Sequence, residues 1–351
     1  MAGRTAIGLD IGTSGVRAAE LSFGKQGVTL EKFGQVALPE GAVRDGEVVD
    51  PPVVADAVRQ LWAHTGFGHK HVTLGVANQR VIVRQVDLPW LPEKELKASL
   101  GFQVQDFLPM PVDQTVLDFH PVADLQQDGQ PRQLRGLLVA AVREMVMNNV
   151  RAAEKAGLKV VGVDLTPFAV LRALGEFGAA ADGTVALVDV GAKVTNIVVH
   201  QAGVPLFVRI LLMGGQDVTD AVADRLGLDN GQAEALKQAP QSAGYSHEDL
   251  VTAGRAVETT AAALVDEIRG SLDYFASSSP AGRVERLVLT GGGSRLAGLV
   301  DRLEASTRVP VTRGNPLNSL HVGKTGLSSE QVDFVQPLAT VPVGLALGAD
   351  R

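Results

Sequence analysis

Cysteine is absent from all 351 residues, which removes disulfides, thiolate nucleophiles and cysteine-ligated zinc together. Aromatic side chains make up only 4% of the chain, and the net charge is −7. No stretch clusters Lys and Arg with interleaved aromatics, so a nucleic-acid surface is not expected. Long apolar runs are missing too. The longest, Leu338 to Ala349, is 12 residues interrupted by Pro342 and two glycines, short of the ~20 that span a bilayer. Met1 to Thr5 leads straight into a predicted strand, with no basic segment followed by an apolar one. The expectation is a soluble chain whose membrane contacts run through a partner.

What the sequence does contain is enough apolar material, 45% of 351 residues, for two full cores. It also contains a repeated device. Ile7-Gly8-Leu9-Asp10-Ile11-Gly12-Thr13-Ser14-Gly15-Val16-Arg17 and Leu187-Val188-Asp189-Val190-Gly191-Ala192-Lys193-Val194-Thr195 each run from an apolar strand through Asp, an apolar residue and Gly into a turn of small or hydroxyl residues. A turn with no bulky side chain presents successive N–H groups as a nest for phosphate oxygens. An Asp beside it can hold Mg²⁺ through water. After each turn the pattern returns to strand, so each is a hairpin. That excludes the dinucleotide fingerprint and the Walker loop, both of which pass directly into a helix.

The remaining periodicity orders the elements. Residues 5–37 read as a strand meander, followed by a helix from Pro51 to Gly66 and a strand at Val72–Ala77. Between Arg80 and Val150 the pattern is strand, helix Pro92–Phe107, strand Thr115–Val122, a polar hairpin at Gln126–Pro131, strand Gly136–Val142 and helix Glu144–Ala156, which reads as an insertion. Strand Val160–Val163 and helix Pro167–Leu174 return to the first domain, and small residues Ala179–Gly183 read as a linker. The second half repeats the plan, with strands 185–190, 194–200 and 204–211, helices 216–226, 230–238 and 254–276, and strand 286–290. Helix Leu296–Thr307 and a short closing helix at Val341–Leu347 complete it. Duplication with an insertion in the first copy is the simplest account.

Two further junctions carry chemistry. Gly291-Gly292-Gly293-Ser294 lies between a strand and a helix, and three glycines in a row are expected where a flat group, such as a purine, approaches the main chain. Gly214-Gly215 opens a helix whose N-terminus could face phosphate, with a plain helix cap as the alternative. Glu234 and Lys237 share a helix face. Two patterns lead nowhere. Gly323-Lys324-Thr325 has Asn318 where a Walker loop needs its first glycine, and His64, His69 and His71 lack a further ligand at metal spacing.

With these residues assembled, the chain resembles the actin-like ATPase superfamily of actin, Hsp70, sugar kinases and FtsA. Asp10 to Arg17 is similar to the first phosphate motif, Asp189 to Thr195 to the second, and Leu289 to Ser294 to the adenosine motif. Asp164 to Ala169 and Val343 to Gly348 are similar to the two connecting helices. Within the superfamily, Gly8 to Leu21, Leu88-Pro89 through Phe107-Leu108-Pro109, and Ser271 to Phe275 resemble the PilM family of type IV pilus assembly proteins. The resemblance implies an α/β actin-like fold of two duplicated ribonuclease-H-like domains. Domain I would be residues 1–180 with an FtsA-like small subdomain at about 80–156, domain II residues 181–335, and residues 336–351 a helix returning to domain I.

The resemblance also implies ATP and Mg²⁺ as cofactors. Asp10 and Asp189 would hold Mg²⁺ through water, with Gly12, Thr13, Ser14, Gly15, Arg17, Gly191, Thr195, Gly214 and Gly215 around the phosphates. Glu234 and Lys237 would hold ribose, and Gly291, Gly292 and Gly293 would face adenine. The implied partners are the short N-terminal cytoplasmic peptide of a PilN-type inner-membrane protein, bound beside the small subdomain, and other pilus assembly proteins. The place of action would be the cytoplasm, at the inner face of the membrane. Leu88, Trp90, Leu91, Phe102, Phe107 and Leu108 are candidates for the peptide groove, or for core. Thr166 stands where the Hsp70 pattern has a carboxylate that orients water, and a Thr is no base, so slow or absent hydrolysis is expected. A metabolite kinase would need a substrate-side carboxylate that the cleft motifs do not offer. An FtsA-like filament former would be expected to carry a membrane helix beyond Arg351, and weak self-association stays open.

Overall fold

The computed structural model describes residues 4–126, 129, 131–175, 183–240 and 244–349. The chain begins with a meander of β1 (Arg4–Ile11), β2 (Gly15–Gly24) and β3 (Gly27–Ala37), then a two-residue hairpin, β4 (Val43–Arg44) and β5 (Glu47–Val48). Helix α1 (Pro51–Thr65) starts at an Asp50 cap, whose side chain accepts from the Val53 N–H, with proline in its first turn. Strand β6 (His71–Val76) follows. The six-stranded sheet then takes β10 (Lys159–Leu165) at one edge and β16 (His321–Val322) at the other, in the order β10-β6-β1-β2-β3-β16. Between β6 and β10 come β7 (Val81–Pro89), α2 (Glu93–Val104), β8 (Thr115–Leu125), β9 (Gln133–Val142) and α3 (Arg143–Lys155). Three of these strands form their own antiparallel sheet, β7-β9-β8, with α2 over a core of Val86, Leu88, Leu96, Leu100, Val104, Phe119 and Leu138. Of the hairpin tip predicted at Gln126–Pro131, residues 127, 128 and 130 lie outside the described residues. Helix α3 packs back against α1.

After α4 (Thr166–Leu174), all of the linker predicted at Ala179–Gly183 except Gly183 lies outside the described residues. The second half is β11 (Thr184–Val190), β12 (Thr195–Gln201), β13 (Val204–Leu211), α5 (Gly215–Leu226), α6 (Asn230–Gln238), α7 (His247–Ser278), β14 (Arg286–Thr290), α8 (Leu299–Thr307), β15 (Val311–Arg313) and, after β16, α9 (Ser329–Gly348). Its sheet order is β13-β12-β11-β14-β15. Set beside β3-β2-β1-β6-β10, this is the same arrangement. An antiparallel meander is followed on the far side of its first strand by two parallel strands. The duplication read from the two turns is thus present in the strand order of both halves.

Three helices differ from their sequence reading. Helix α7 begins at His247, not 254, because Ser246 and Asp249 form a capping box. Helix α8 begins at Leu299, since Gly292–Arg295 closes a 3-10 turn and Gly298 takes a left-handed conformation at φ 73°. Helix α9 is 20 residues, not a short closing segment, and runs through Pro337 and Pro342. An interior proline costs about 3 kcal/mol in an isolated helix, and here tertiary contact offsets it. The Pro337 carbonyl accepts from the Gly291 N–H (3.2 Å) and the Thr290 hydroxyl (3.4 Å), and Thr290 and Thr340 share a buried hydroxyl–hydroxyl bond of 2.7 Å.

Helices α4 and α9 lie between the two sheets. Val170 and Leu171 of α4 and Val341 and Leu345 of α9 join Val185, Leu187 and Val198 of the second sheet and Leu137 of the inserted one in a single core. The approach is close enough to demand glycine. A Cβ on Gly344 would run into the Ala169 carbonyl, and one on Gly8 would stand 2.7 Å from the Leu345 Cβ.

Candidate functional site

The two Asp-bearing turns face one cavity of about 790 Å³. Each turn is built alike. Asp10 is paired with Arg17 across the first hairpin and Asp189 with Asn196 across the second. The Gly12 N–H donates to the Gly15 carbonyl at 3.0 Å, and the Gly191 N–H to the Val194 carbonyl at 2.9 Å. These two N–H groups therefore close the turns and are not free for a ligand, contrary to the expectation from sequence. The N–H groups left at the tips belong to Thr13 and Ser14, and to Ala192 and Lys193.

Of the residues singled out in the sequence, Asp10, Gly12, Thr13, Ser14, Arg17, Thr166, Asp189, Gly191, Gly215, Glu234, Lys237, Gly291, Gly292 and Gly293 all line this cavity. Gly15, Thr195 and Gly214 do not, and the geometry gives each a different task. Gly15 is buried in its turn, where a Cβ would meet the Val36 carbonyl at 2.7 Å. Thr195 is fully buried and donates to the Met213 carbonyl at 2.7 Å. Gly214 lets α5 approach the second turn, since a Cβ there would stand 2.5 Å from the Ala192 and Gly191 carbonyls.

The N-terminus of α5 is likewise already used. The Gly215 N–H donates to the Gly191 carbonyl at 2.9 Å, and the Gln216 N–H to the Ala192 carbonyl at 2.7 Å. The helix thus buttresses the second turn, and Asp217 caps it by accepting from the Gly214 N–H at 2.7 Å. Lys193, at the tip of that turn, is drawn to the same helix, where it is ion-paired with Asp217 (2.9 Å) and Asp220. Burial alone would lower its pKa, but the two carboxylates raise it.

The electrostatics of the cleft centre on two acids, Asp189 buried and Asp10 partly so. Burial raises the pKa of Asp10, with Arg17, whose Nη1 is 3.8 Å from Oδ2, pulling the other way. Burial also raises Asp189, to about 7, against a hydrogen bond from Asn196 Nδ2 (3.1 Å), while the nearby Asp10 adds to the rise. Beside them, Asn196 Oδ1 is buried without a hydrogen-bond partner. Among the described residues no cluster of three His, Cys, Asp or Glu could enclose a metal by itself. Two carboxylates and an unpartnered amide oxygen instead offer an oxygen-rich face that suits a hard, hydrated cation, with the remaining ligands coming from water or phosphate.

Glu234 and Lys237 are ion-paired at 2.6 Å, and Lys237 also donates to Thr219 Oγ1 (2.8 Å) and the Gly215 carbonyl (3.0 Å). Burial would raise the Glu234 pKa, yet hydrogen bonds from Lys237, Thr219 and Gln238 lower it. The pair therefore pins α6 to α5 as well as facing the cleft. The glycines at 291–293 also answer to packing. Gly291 has φ 83°, and a Cβ on it would stand 2.5 Å from Asp189 Oδ1, while one on Gly293 would stand 2.5 Å from Val190 Cγ1. Thr166, at the start of α4, is 5% exposed and lines the cavity.

Sequence reasoning missed several lining residues, namely Asn196, Gln216, Gln238, Arg295, Phe334 and Leu338. The hairpin register signals Asn196, which holds the place opposite Asp189 that Arg17 holds opposite Asp10. The Arg295 Cζ sits over the Phe334 ring, 3.8 Å from its centroid, a contact between residues far apart in sequence. Of the groove candidates, Leu88 is core, Leu91 and Leu108 are partly buried against it, and Phe102 (79% exposed), Trp90 (40%) and Phe107 (38%) reach solvent. Arg132 covers the Trp90 ring at 4.2 Å.

A duplicated meander-plus-parallel fold with an Asp-bearing hairpin from each half facing a shared cleft defines an actin-like ATPase architecture. The chain belongs to the family described as type IV pilus assembly protein PilM, whose family model matches residues 8–349. A solved structure of a PilM-PilN type IV pilus biogenesis complex superposes with a TM-score of 0.85 at 30% identity, covering 99% of this chain and 98% of that one. The cell division protein FtsA of Streptococcus pneumoniae is 26% identical over 337 residues, 84% of this chain and 72% of its own length. FtsA of Bacillus subtilis is 22% identical over 281 residues, 72% of this chain, and the match takes in only 61% of that relative's length. MreB 5 of Spiroplasma citri, solved bound to AMPPNP, shares the fold at a TM-score of 0.51 and 12% identity, covering 99% of this chain and 96% of that one. Among the described residues no helix is long and apolar enough to cross a membrane.

Proposed function

We propose that this PilM-family chain is a nucleotide-braced scaffold of the pilus machinery, holding ATP with Mg²⁺ in the cleft between its halves. The observation that carries this reading is the matched pair of turns, Asp10 and Asp189 in the same hairpin register on opposite walls of one cavity. Bound Mg²⁺ would neutralise phosphate charge. Asp10 and Asp189 hold its water shell as carboxylates, Asn196 Oδ1 accepts from the same shell, and the N–H groups of Thr13, Ser14, Ala192 and Lys193 meet phosphate oxygens. Arg17 supplies a planar cation beside the first turn. Glu234 and Lys237 flank the ribose, and Gly291 to Gly293 lie along the base.

Thr166 accepts and donates hydrogen bonds but removes no proton from water. Turnover is therefore expected at roughly one per minute or less without a partner. A ligand that bridges the halves stabilises the closed arrangement by its differential affinity. Within this reading the inserted unit takes residues about 80–156, with α3 its link to α1, and residues 181–335 and 336–351 form the second domain and the returning helix. The partner is the N-terminal cytoplasmic peptide of a PilN-type membrane protein, bound beside the insert, which places the chain at the inner face of the membrane. The PilM-PilN complex, at 30% identity over 99% of this chain, supports that partner.

The test is overnight incubation of the purified protein with Mg²⁺-ATP, removal of free nucleotide and identification of what stays bound, with Asp10→Ala as control. Intact ATP on the wild type and none on the variant is the expected result. Phosphate released faster than about one per minute refutes slow hydrolysis, and no retained nucleotide refutes the brace. Binding of the PilN-type peptide is then measured with and without Mg²⁺-ATP.

A further inference from the structure

The two halves are joined unequally around the cleft. At its floor they meet through the packed side chains of α4 and α9, whose Thr166 and Val341 line the cavity. At its mouth they meet through polar groups on the surface. The segment leaving β3 is tied to the first turn, since the Leu38 N–H donates to the Ser14 carbonyl at 3.1 Å. Two residues further on, Glu40 reaches across to α6, and its Oε2 accepts from Asn230 Nδ2 at 2.8 Å. Both residues are exposed, and they lie 190 positions apart. Asn230 is the first residue of a helix that carries Glu234, Lys237 and Gln238 on the cavity wall.

The jaw on the Glu40 side is firmly built. In the β4–β5 hairpin Val43 and Val48 are buried, Glu47 pairs with Arg80, and the Asn78 side chain donates to the Asp45 carbonyl. Gly46 at its tip lines the cavity with φ 80°, and a Cβ on it would run into the Ala77 carbonyl while standing 3.6 Å from Val194 Cγ2 of the second turn. The opposing α6 is more lightly held, with only Ala233 and Leu236 buried among its nine residues. An exposed polar bond opens far more readily than an apolar core, so the halves part first at this mouth. We infer that Glu40 and Asn230 latch the mouth of the cleft, and that breaking their bond sets the rate at which bound nucleotide leaves. The inference rests on the reading of the cleft as a nucleotide site. Neither residue lines the cavity, so the latch acts by holding the closed arrangement rather than by touching the ligand.

The experiment loads the full chain with radiolabelled Mg²⁺-ATP, adds an excess of unlabelled Mg²⁺-ATP and follows the loss of label from the protein. Glu40→Ala and Asn230→Ala should each release nucleotide about two- to fivefold faster than the wild type, and the double variant no faster than either, because all three lack the same bond. Release at the wild-type rate, or effects that multiply in the double variant, overturn the latch. Because the chain has no cysteine, Glu40→Cys combined with Asn230→Cys offers two unique thiols that a short, reducible thiol-reactive linker can join after loading. The linked protein should keep its label through the chase, and reductant should return it to the unlinked rate. A linked protein that releases at the unlinked rate shows nucleotide leaving by another route and overturns the inference, as does failure of the linker to join the two positions in the loaded protein. A wild type that takes up no label overturns the nucleotide reading and the latch with it.

Discussion

Replacing Asp189 by Asn should make the ligand-free protein more stable and the site non-functional. In the fold this carboxyl has a pKa of about 7 against an ordinary 3.8. An acid raised on folding contributes stability that is fully present below its unfolded pKa and is lost as pH rises through its folded pKa. The window here is about pH 4 to 7. At ~1.36 kcal/mol per pH unit, the full loss is on the order of 4 kcal/mol by pH 8. Asn keeps the volume and its Oδ1 accepts the Asn196 hydrogen bond, but it carries no charge to desolvate. The stability gain of Asp189→Asn should therefore be small near pH 4, larger at pH 5, and larger again at pH 8 by about 2–3 kcal/mol over its pH 5 value. Urea unfolding of the ligand-free protein, followed by circular dichroism at pH 5 and 8, reads that difference directly. Thermal shift with Mg²⁺-ATP reads the other half, and the variant should show none. A gain independent of pH would refute the electrostatic reasoning, as would a variant less stable than wild type at pH 8. Retained Mg²⁺-nucleotide binding would refute the role given to the carboxylate.

The same titration sets the pH dependence of binding. Because Asp189 must ionise to meet the hydrated cation, Mg²⁺-ATP affinity measured by calorimetry should rise toward about pH 7 and level off above it, falling up to roughly tenfold per unit on the acid side. Gly344→Ala pushes a methyl into the Ala169 carbonyl and should cost about 1–3 kcal/mol or more, seen as a lower denaturation midpoint. A midpoint equal to wild type would mean that α4 and α9 have slack between them. Thr340→Val keeps shape but takes the 2.7 Å bond from the buried Thr290 hydroxyl. It should cost about 1–2 kcal/mol, with base-side nucleotide contacts loosened through Gly291, and nucleotide affinity unchanged by the variant would refute that coupling.

Much of the architecture is written locally. An Asp two residues before a Gly, followed by a return to strand, marks each hairpin, and its repetition fixes the strand order of both halves. The site's acids were legible for the same reason, since Asp10 and Asp189 sit at the ends of apolar strands that must be central. What escaped depends on contacts that no window of sequence contains. Helix α9 read as a short closing segment because the Gly291 N–H and the Thr290 hydroxyl that engage the Pro337 carbonyl lie some fifty residues earlier. Gly12, Gly191 and the start of α5 read as phosphate donors because nothing local shows that their N–H groups are taken by nearby carbonyls. Arg295 and Phe334 are separately unremarkable, and only the return of α9 to the cleft stacks one on the other.

The seating of α9 on β1 has a consequence for how the chain is made. The strand emerges from the ribosome long before the helix that covers it, with Gly8 shaped to receive a segment more than three hundred residues away. Until α9 arrives, Ala6, Ala19 and Leu21 on that face have no permanent cover, so the first half should be held in an unfinished, chaperone-accessible state through most of synthesis. The second half, whose own core gathers around α7 and β14, is free to settle earlier. Order of translation and order of folding would then run in opposite directions.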